Sequence, residues 1–272
     1  MEEAEQVLGW PLGQIMDTGP EEVLRDTVRA QPALLTMGVA CAERLRALGE
    51  SPDAVLGHSV GEYAALVVAD ALGFSEAVSL VAQRGQLMAD AARAAPGGMI
   101  AVIGASQDAI EKVVESCRRL GVLEVSNRNG PSQLVLSGEQ AALEAAGTAL
   151  TERRLGRAVP LPVAAPFHCS LMRPVADEFA EVLAKVSLRA PSCLFINNVT
   201  GDTEDDPERI RSRLIEQLYL PVQWQQSIER ARVLGVTRFV ESGPKSVLTG
   251  LVKRIWRGAT LVTAEHLLEP TT

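Results

Sequence analysis

The pentapeptide Gly57-His58-Ser59-Val60-Gly61 constrains this chain more than any other stretch. A short apolar run, Ala54-Val55-Leu56, precedes it, and the helical pattern Glu62-Tyr63-Ala64-Ala65-Leu66-Val67-Val68 follows. Strand, Gly-x-Ser-x-Gly turn and helix together are the layout of a nucleophile elbow. A serine hydroxyl is a weak nucleophile, so it must project from the strand end, meet a base and sit beside free backbone N–H groups. The flanking glycines let the chain turn where a Cβ would clash. The N–H of Val60, at the start of the helix, is then placed to stabilise an oxyanion. A plain strand-to-helix turn with a capping serine would use the same residues, but the strand before and the helix after favour Ser59 as nucleophile.

A serine nucleophile needs a base, and the chain has three histidines. His58 adjoins Ser59, and their side chains should diverge at a tight turn. His266 lies in the last few residues, where chains fray. His168 sits between an apolar extended run, Leu161 to Phe167, and the next helix, at a strand end where α/β folds gather catalytic side chains. A lone histidine is more often a hydrogen-bonded structural residue, yet elimination favours His168 as general base. Cys169 beside it reads as a small packed residue, and otherwise as a second nucleophile.

Arg84 is the third candidate. Ser75 is expected to cap a helix over 76–91, in which Ala77, Leu80, Val81, Leu87, Met88 and Ala91 form one apolar stripe at three- and four-residue steps. Arg84 lies in that stripe. A buried guanidinium requires an anionic partner, because leaving it unpaired costs several kcal/mol. From the stripe alone, a structural carboxylate and a ligand fit equally. With a serine nucleophile near in sequence, a bidentate clamp on a substrate carboxylate becomes attractive.

These residues carry a family resemblance. Gly57 to Leu66, Arg84-Gly85, Ser126 to Gly138, Phe167-His168, Gln217 to Trp224 and Glu241-Ser242-Gly243-Pro244 resemble malonyl-CoA:acyl carrier protein transacylases and the acyltransferase domains of polyketide and fatty acid synthases. The match runs in order from about Leu8 to the C-terminus. It implies that Ser59 is acylated, that His168 is the base and that Arg84 holds the malonyl carboxylate. It also implies that a main-chain carbonyl near Gln217 orients the histidine. Phe167 and Val60 resemble malonyl-type members more than methylmalonyl-type ones. Asn127, expected to end a strand facing the cleft, becomes a plausible substrate contact, whereas Asn129 reads as an ordinary turn residue.

The implied partners are malonyl-CoA and an acyl carrier protein. Coenzyme A acts only as leaving group, so no bound cofactor or metal is expected. Arg153-Arg154-Leu155-Gly156-Arg157 and Lys253-Arg254-Ile255-Trp256-Arg257 offer local positive charge to an acidic carrier, although solvated helix ends explain them as well. A net charge of −8 argues against nucleic acid. The acidic start Met1-Glu2-Glu3-Ala4-Glu5 lacks the marks of a signal peptide, and no apolar stretch has the length of a membrane span. Four cysteines without Cys-x-x-Cys spacing suggest free thiols, hence a cytoplasmic protein. A monomer is expected from the family.

The chain's middle reads β-α-β-β-α-β: a strand at 99–103, a helix capped near Ser106, strands at 122–125 and 133–136 joined by a turn over 127–132, a helix capped by Ser137, and an extended run at 158–161. That is the order of a ferredoxin-like unit. The remainder alternates helix and strand. The expected fold class is therefore α/β: a hydrolase-like, parallel-sheet large domain (1–96 and 163–272) with an inserted ferredoxin-like small domain (97–162) and a cleft between them.

The family usually begins with a strand and a Gly-Gln-Gly-Ser loop, and the match starts after that point. The expected fold thus lacks the N-terminal strand, and the sequence reads as an amino-terminal truncation with a groove beside Ser59, His168 and Arg84. Two rival functions use the same motif. A lipase- or thioesterase-type hydrolase would carry a His-Gly-Gly-Gly loop, which is not present, and would not need Arg84. A poorly active binding module would follow from the missing segment.

Overall fold

The computed structural model describes residues 1–94, 96–163 and 165–268. Ala95 in the expected break after the Arg84 helix, Ala164 on the approach to His168, and residues 269–272 of the expected large domain lie outside them.

Helices open the chain: α1 (Glu2–Leu8), α2 (Leu12–Thr18), α3 (Glu21–Arg25) and the long α4 (Thr27–Ala47). Asp26 caps α4 by accepting from the Val28 N–H. The buried face of α4 includes Gln31, Leu35, Gly38 and Val39, at helical spacing. Then come β1 (Ala54–Leu56), α5 (Gly61–Val68) and α6 (Phe74–Ala94), the last packed along α4. Helix α6 buries Ala77, Leu80, Val81, Arg84 and Met88 as the stripe predicts, with Leu87 and Ala91 at its margin. Gly85 permits the close approach, since a Cβ there would lie 2.8 Å from the Thr27 carbonyl oxygen. The expected cap is different. The helix begins at Phe74, and the Ser75 hydroxyl donates to Glu3, because α1 brings a charged acceptor against this end of α6.

The middle segment contains β2 (Gly97–Ile103), α7 (Gln107–Cys117), β3 (Leu123–Gly130), β4 (Gln133–Glu139), α8 (Gln140–Glu152) and β5 (Arg157–Pro160). They form an antiparallel sheet in the order β3-β4-β2-β5. Helices α7 and α8 cover one face, over Ile100, Val102, Leu123, Leu134 and Leu136. On the other face Met99, Ala101 and Val135 meet Leu161, Val163 and Phe167. This two-sided burial explains why β2 reads as a continuous apolar run rather than an alternating one.

Two local expectations fail here. The turn is confined to Pro131 and Ser132, because β3 continues through Asn127 to Gly130. It does so because it gains a second partner: Arg128 N–H donates to the Val222 carbonyl, and Val222 N–H to the Ser126 carbonyl. Ser137 is no cap either. It lies buried within β4, and Glu139 occupies the position before α8.

The chain continues through α9 (Arg173–Leu183), β6 (Leu194–Ile196), α10 (Pro207–Glu216), α11 (Trp224–Val233), β7 (Arg238–Glu241), α12 (Val247–Ile255), β8 (Thr260–Thr263) and α13 (Ala264–Leu268). Strand β6 pairs parallel with β1, and β8 with β7. The expected single parallel sheet is thus two separate pairs. Side chains rather than a ladder join them: Leu56, Phe239 and Leu261 share one apolar cluster with Val222, Trp224 and Ile228. Strand β8 is not expected from the sequence.

The steric demand at the elbow is one-sided. A Cβ on Gly57 would lie 2.0 Å from the carbonyl carbon and oxygen of Gly61, whereas a Cβ on Gly61 would meet nothing within 4 Å. Gly57→Ala should therefore lower stability by about 1–3 kcal/mol through overpacking. Gly61→Ala should match the wild type or gain up to about 1 kcal/mol of helix propensity. Urea unfolding of both variants checks this, and equal losses would contradict it.

Candidate active site

Ser59 stands at the end of β1 with a left-handed backbone, φ 53°. Such a conformation in a non-glycine residue costs roughly 1–3 kcal/mol and persists only where the surroundings impose it. The restraints are visible. Asn198 accepts from the Ser59 N–H at 2.7 Å and donates to the Gly57 carbonyl at 2.6 Å. The Gln217 side chain donates to the Ser59 carbonyl at 3.1 Å. The N–H of Val60 has no acceptor among the described residues, which leaves it open to a ligand oxygen.

His168, 109 positions away, meets this serine: its Nε2 lies 2.9 Å from Ser59 Oγ. Its Nδ1 lies 2.6 Å from the Gln217 main-chain oxygen. A carbonyl only accepts, so Nδ1 carries the proton and Nε2 turns its lone pair to the hydroxyl. An imidazole in this tautomer can take the serine proton. His168 also has a left-handed backbone, φ 56°, and its N–H donates to the Leu218 carbonyl at 3.2 Å. Burial, aided by the positive Arg84, pulls its pKa down to about 3, against the upward pull of the Gln217 carbonyl. The ring is therefore neutral at physiological pH.

Arg84 completes the group. It is 1% exposed. Its Nη1 donates to Gln31 Oε1 at 2.6 Å, and its Nη2 to Gln217 Oε1 at 3.0 Å and Ser59 Oγ at 3.3 Å. The guanidinium carbon lies 5.6 Å from the centre of the Tyr63 ring. No carboxylate pairs with it among the described residues. A buried cation held by neutral oxygens, next to the Ser59 hydroxyl, can receive an anionic ligand.

Other sequence candidates fall as follows. His58 Nε2 donates to Asn129 Oδ1 at 2.8 Å, and its ring tilts over Trp224, so it diverges from Ser59 as expected. Asn129 is thus a β3 residue gripping the elbow rather than a turn residue. Asn127 is buried and accepts from the Ser126 hydroxyl at 3.0 Å. Phe167 packs between the main core and the inner face of the antiparallel sheet. Cys169 donates to the Pro166 carbonyl, and burial pushes its thiol up to about 11, which disfavours a thiolate. His266 lies in α13.

Sequence reasoning missed Gln31, Glu62, Asn198 and the side chain of Gln217. Gln31 and Glu62 are polar residues on buried helix faces, the same signal that exposed Arg84. Asn198 follows the C-terminal end of a parallel strand, the place where such folds collect functional groups.

A hydroxyl shared by a neutral imidazole and an uncompensated guanidinium, at an elbow closed over by an antiparallel sheet, defines an acyl-transfer centre of the serine type. The chain belongs to the acyl transferase domain family, which it matches over residues 2–268. It is 43% identical over 269 residues to the malonyl CoA-acyl carrier protein transacylase of Salmonella typhimurium, covering 98% of this chain and 86% of that protein. An acyl carrier protein S-malonyltransferase from Vibrio cholerae matches in structure with a TM-score of 0.93 at 44% identity, over 96% of this chain and 86% of the other. A malonyl-transacylase in complex with its type II polyketide synthase acyl-carrier protein matches with a TM-score of 0.93 at 39% identity, over 96% and 85% of the two chains.

The lowered pKa of His168 has a consequence for stability. Below its ordinary value of 6.5 the unfolded chain binds a proton that the folded chain refuses. The corresponding stability is fully present above that value and is lost as pH falls toward about 3. Relative to His168→Gln, the wild type should lose up to about 1.4 kcal/mol per pH unit on acidification below about pH 6. Paired urea titrations across that range measure the difference, and a constant difference would contradict the assignment.

Proposed function

We propose that this chain transfers a malonyl group from malonyl-CoA to the phosphopantetheine thiol of an acyl carrier protein, through a malonyl ester on Ser59. The observation that carries the proposal is Arg84: a buried guanidinium 3.3 Å from the nucleophile, with no carboxylate of its own. Acetyl groups would not use that charge, whereas the free carboxylate of a malonyl group matches it in a bidentate geometry.

In the first step Ser59 Oγ attacks the thioester carbonyl while its proton passes to His168 Nε2. The oxyanion forms beside the Val60 N–H. Collapse breaks the C–S bond, and coenzyme A leaves as a thiol with the proton from His168. In the second step the carrier thiol gives its proton to His168 and attacks the malonyl ester. Collapse then returns the proton to Ser59. The Gln217 main-chain oxygen keeps the imidazole in the tautomer that both steps need. Each step uses side-chain and main-chain groups of this chain, so the reaction as written calls for no resident cofactor or metal.

In this reading Phe167 and Asn127 contribute to the substrate-facing wall. Residues 97–162 act as a ferredoxin-like unit closing over a hydrolase-like large domain (1–96 and 163–272). The enzyme works as a cytoplasmic monomer and supplies malonyl units to fatty acid or polyketide synthesis. Among the described residues, no helix is long and apolar enough to cross a membrane. Hydrolysis by the same serine is less well supported, since a hydrolase gains nothing from an uncompensated cation at the nucleophile.

Intact-mass analysis after exposure to malonyl-CoA should give one acyl adduct, lost in Ser59→Ala. Persistence of the adduct in that variant would place the nucleophile elsewhere. Arg84→Ala should reduce malonyl kcat/KM by roughly thirtyfold or more, because removing one partner of a buried charge pair costs about 2–5 kcal/mol. Acetyl transfer should gain relative to malonyl transfer. Equal loss with both thioesters would make Arg84 structural.

A further inference from the structure

Glu62 is an acidic residue for which the reaction above has no use, and it is fully buried beside the nucleophile. Its Oε1 accepts from the Asn198 N–H at 2.8 Å, and its Oε2 accepts from the Gln217 side-chain amide. The other end of that amide, Gln217 Oε1, accepts from Arg84 Nη2 at 3.0 Å. An amide has one donor end and one acceptor end, so whatever holds one end decides what the other presents. We propose that Glu62 is a positioning residue for malonyl selection: it fixes the Gln217 amide so that Arg84 is held by a neutral oxygen and its charge stays available to the substrate carboxylate. This inference rests on the malonyl-transfer reading of the site.

The arrangement solves two opposed requirements. A buried guanidinium with no anion nearby would be costly, but a carboxylate bonded directly to it would occupy the positions the substrate needs. Interposing Gln217 places the Glu62 carboxyl one side chain behind the cation. The coupling is mutual: Arg84 favours the ionised form of Glu62, and Glu62 favours the cationic form of Arg84. Burial still pushes the Glu62 carboxyl up to about 8, opposed by the Asn198 and Gln217 hydrogen bonds. Those two bonds each bring an N–H donor to a carboxylate oxygen, which is the pattern the ionised form accepts. Reversing the Gln217 amide would set its NH2 against the guanidinium and its oxygen against the carboxylate. It would also break the bond from Gln217 to the Ser59 carbonyl.

Glu62→Gln separates this role from simple support. The new amide oxygen can still accept from the Asn198 N–H, so the Asn198 clamp on the elbow survives. The new NH2 faces the Gln217 NH2 and forces that amide to turn. The expected result is a rise of about tenfold or more in the KM for malonyl-CoA, the size of one hydrogen bond to a charged group. Malonyl kcat/KM should fall roughly tenfold further than acetyl kcat/KM. Gln217→Leu keeps the main-chain carbonyl on His168 and removes the amide, and it should show the same malonyl-specific loss if the Glu62 variant does not fold. A loss that is equal for malonyl-CoA and acetyl-CoA, or no change with either, overturns the inference. A wild-type enzyme that loads no malonyl group overturns the malonyl-transfer reading and this inference with it. That outcome is distinct from a wild type that loads malonyl and a variant that matches it, which overturns the inference alone.

Discussion

The desolvated charge of Arg84 is the constraint around which the site is arranged. A guanidinium removed from water must have its N–H groups met by oxygens. Gln31 comes from α4, Ser59 from the elbow and Gln217 from the segment after α10, and all three converge on this one side chain. Helices α4 and α6 can lie close enough for the first of these contacts because position 85 carries no Cβ. The acceptors are neutral, and the Glu62 carboxyl lies behind Gln217. The site is consequently held together by the cation while the cation keeps unsatisfied attraction for an anionic ligand.

The second requirement is that two backbone positions hold left-handed conformations. Ser59 and His168 each carry an unfavourable φ, and each is fixed by hydrogen bonds from other parts of the chain. Asn198 and Gln217 hold the elbow, and the carbonyls of Gln217 and Leu218 hold the histidine. The antiparallel sheet contributes to the same rigidity. Asn129 of β3 accepts from His58, β3 pairs with Val222, and Glu124 of β3 accepts from both the N–H and the hydroxyl of Ser170. Through these contacts the antiparallel sheet fixes both the serine and the loop that carries its histidine. Pre-set geometry of this kind lowers the reorganisation needed when the oxyanion forms.

Much of this was legible in the sequence. The glycine-flanked serine between apolar run and helix and the arginine on an apolar stripe are local signals, each set by one element. The β-α-β-β-α-β order of the middle segment was readable for the same reason. The strand end expected before His168 is not found, since β5 stops at Pro160 and His168 lies in a turn ahead of α9. Errors occurred where a partner from elsewhere changed the local outcome. Ser75 abandons the capping role for Glu3, β3 runs on through Asn127 because Val222 offers it a second edge, and the parallel strands form two pairs joined by side chains.

The sequence by itself determined which chemical groups are present and much of where each sits: a serine on a glycine-flanked elbow, a histidine after an apolar Pro-rich run, an arginine on a buried helix face. Only the tertiary structure decided how those groups are held. The tautomer of His168 follows from a carbonyl 49 positions away, and the orientation of Gln217 follows from Glu62, 155 positions away. Hydrogen-bond direction and desolvation depend on what packs alongside, and no pattern along one strand or helix encodes a neighbour brought in from a distant part of the chain.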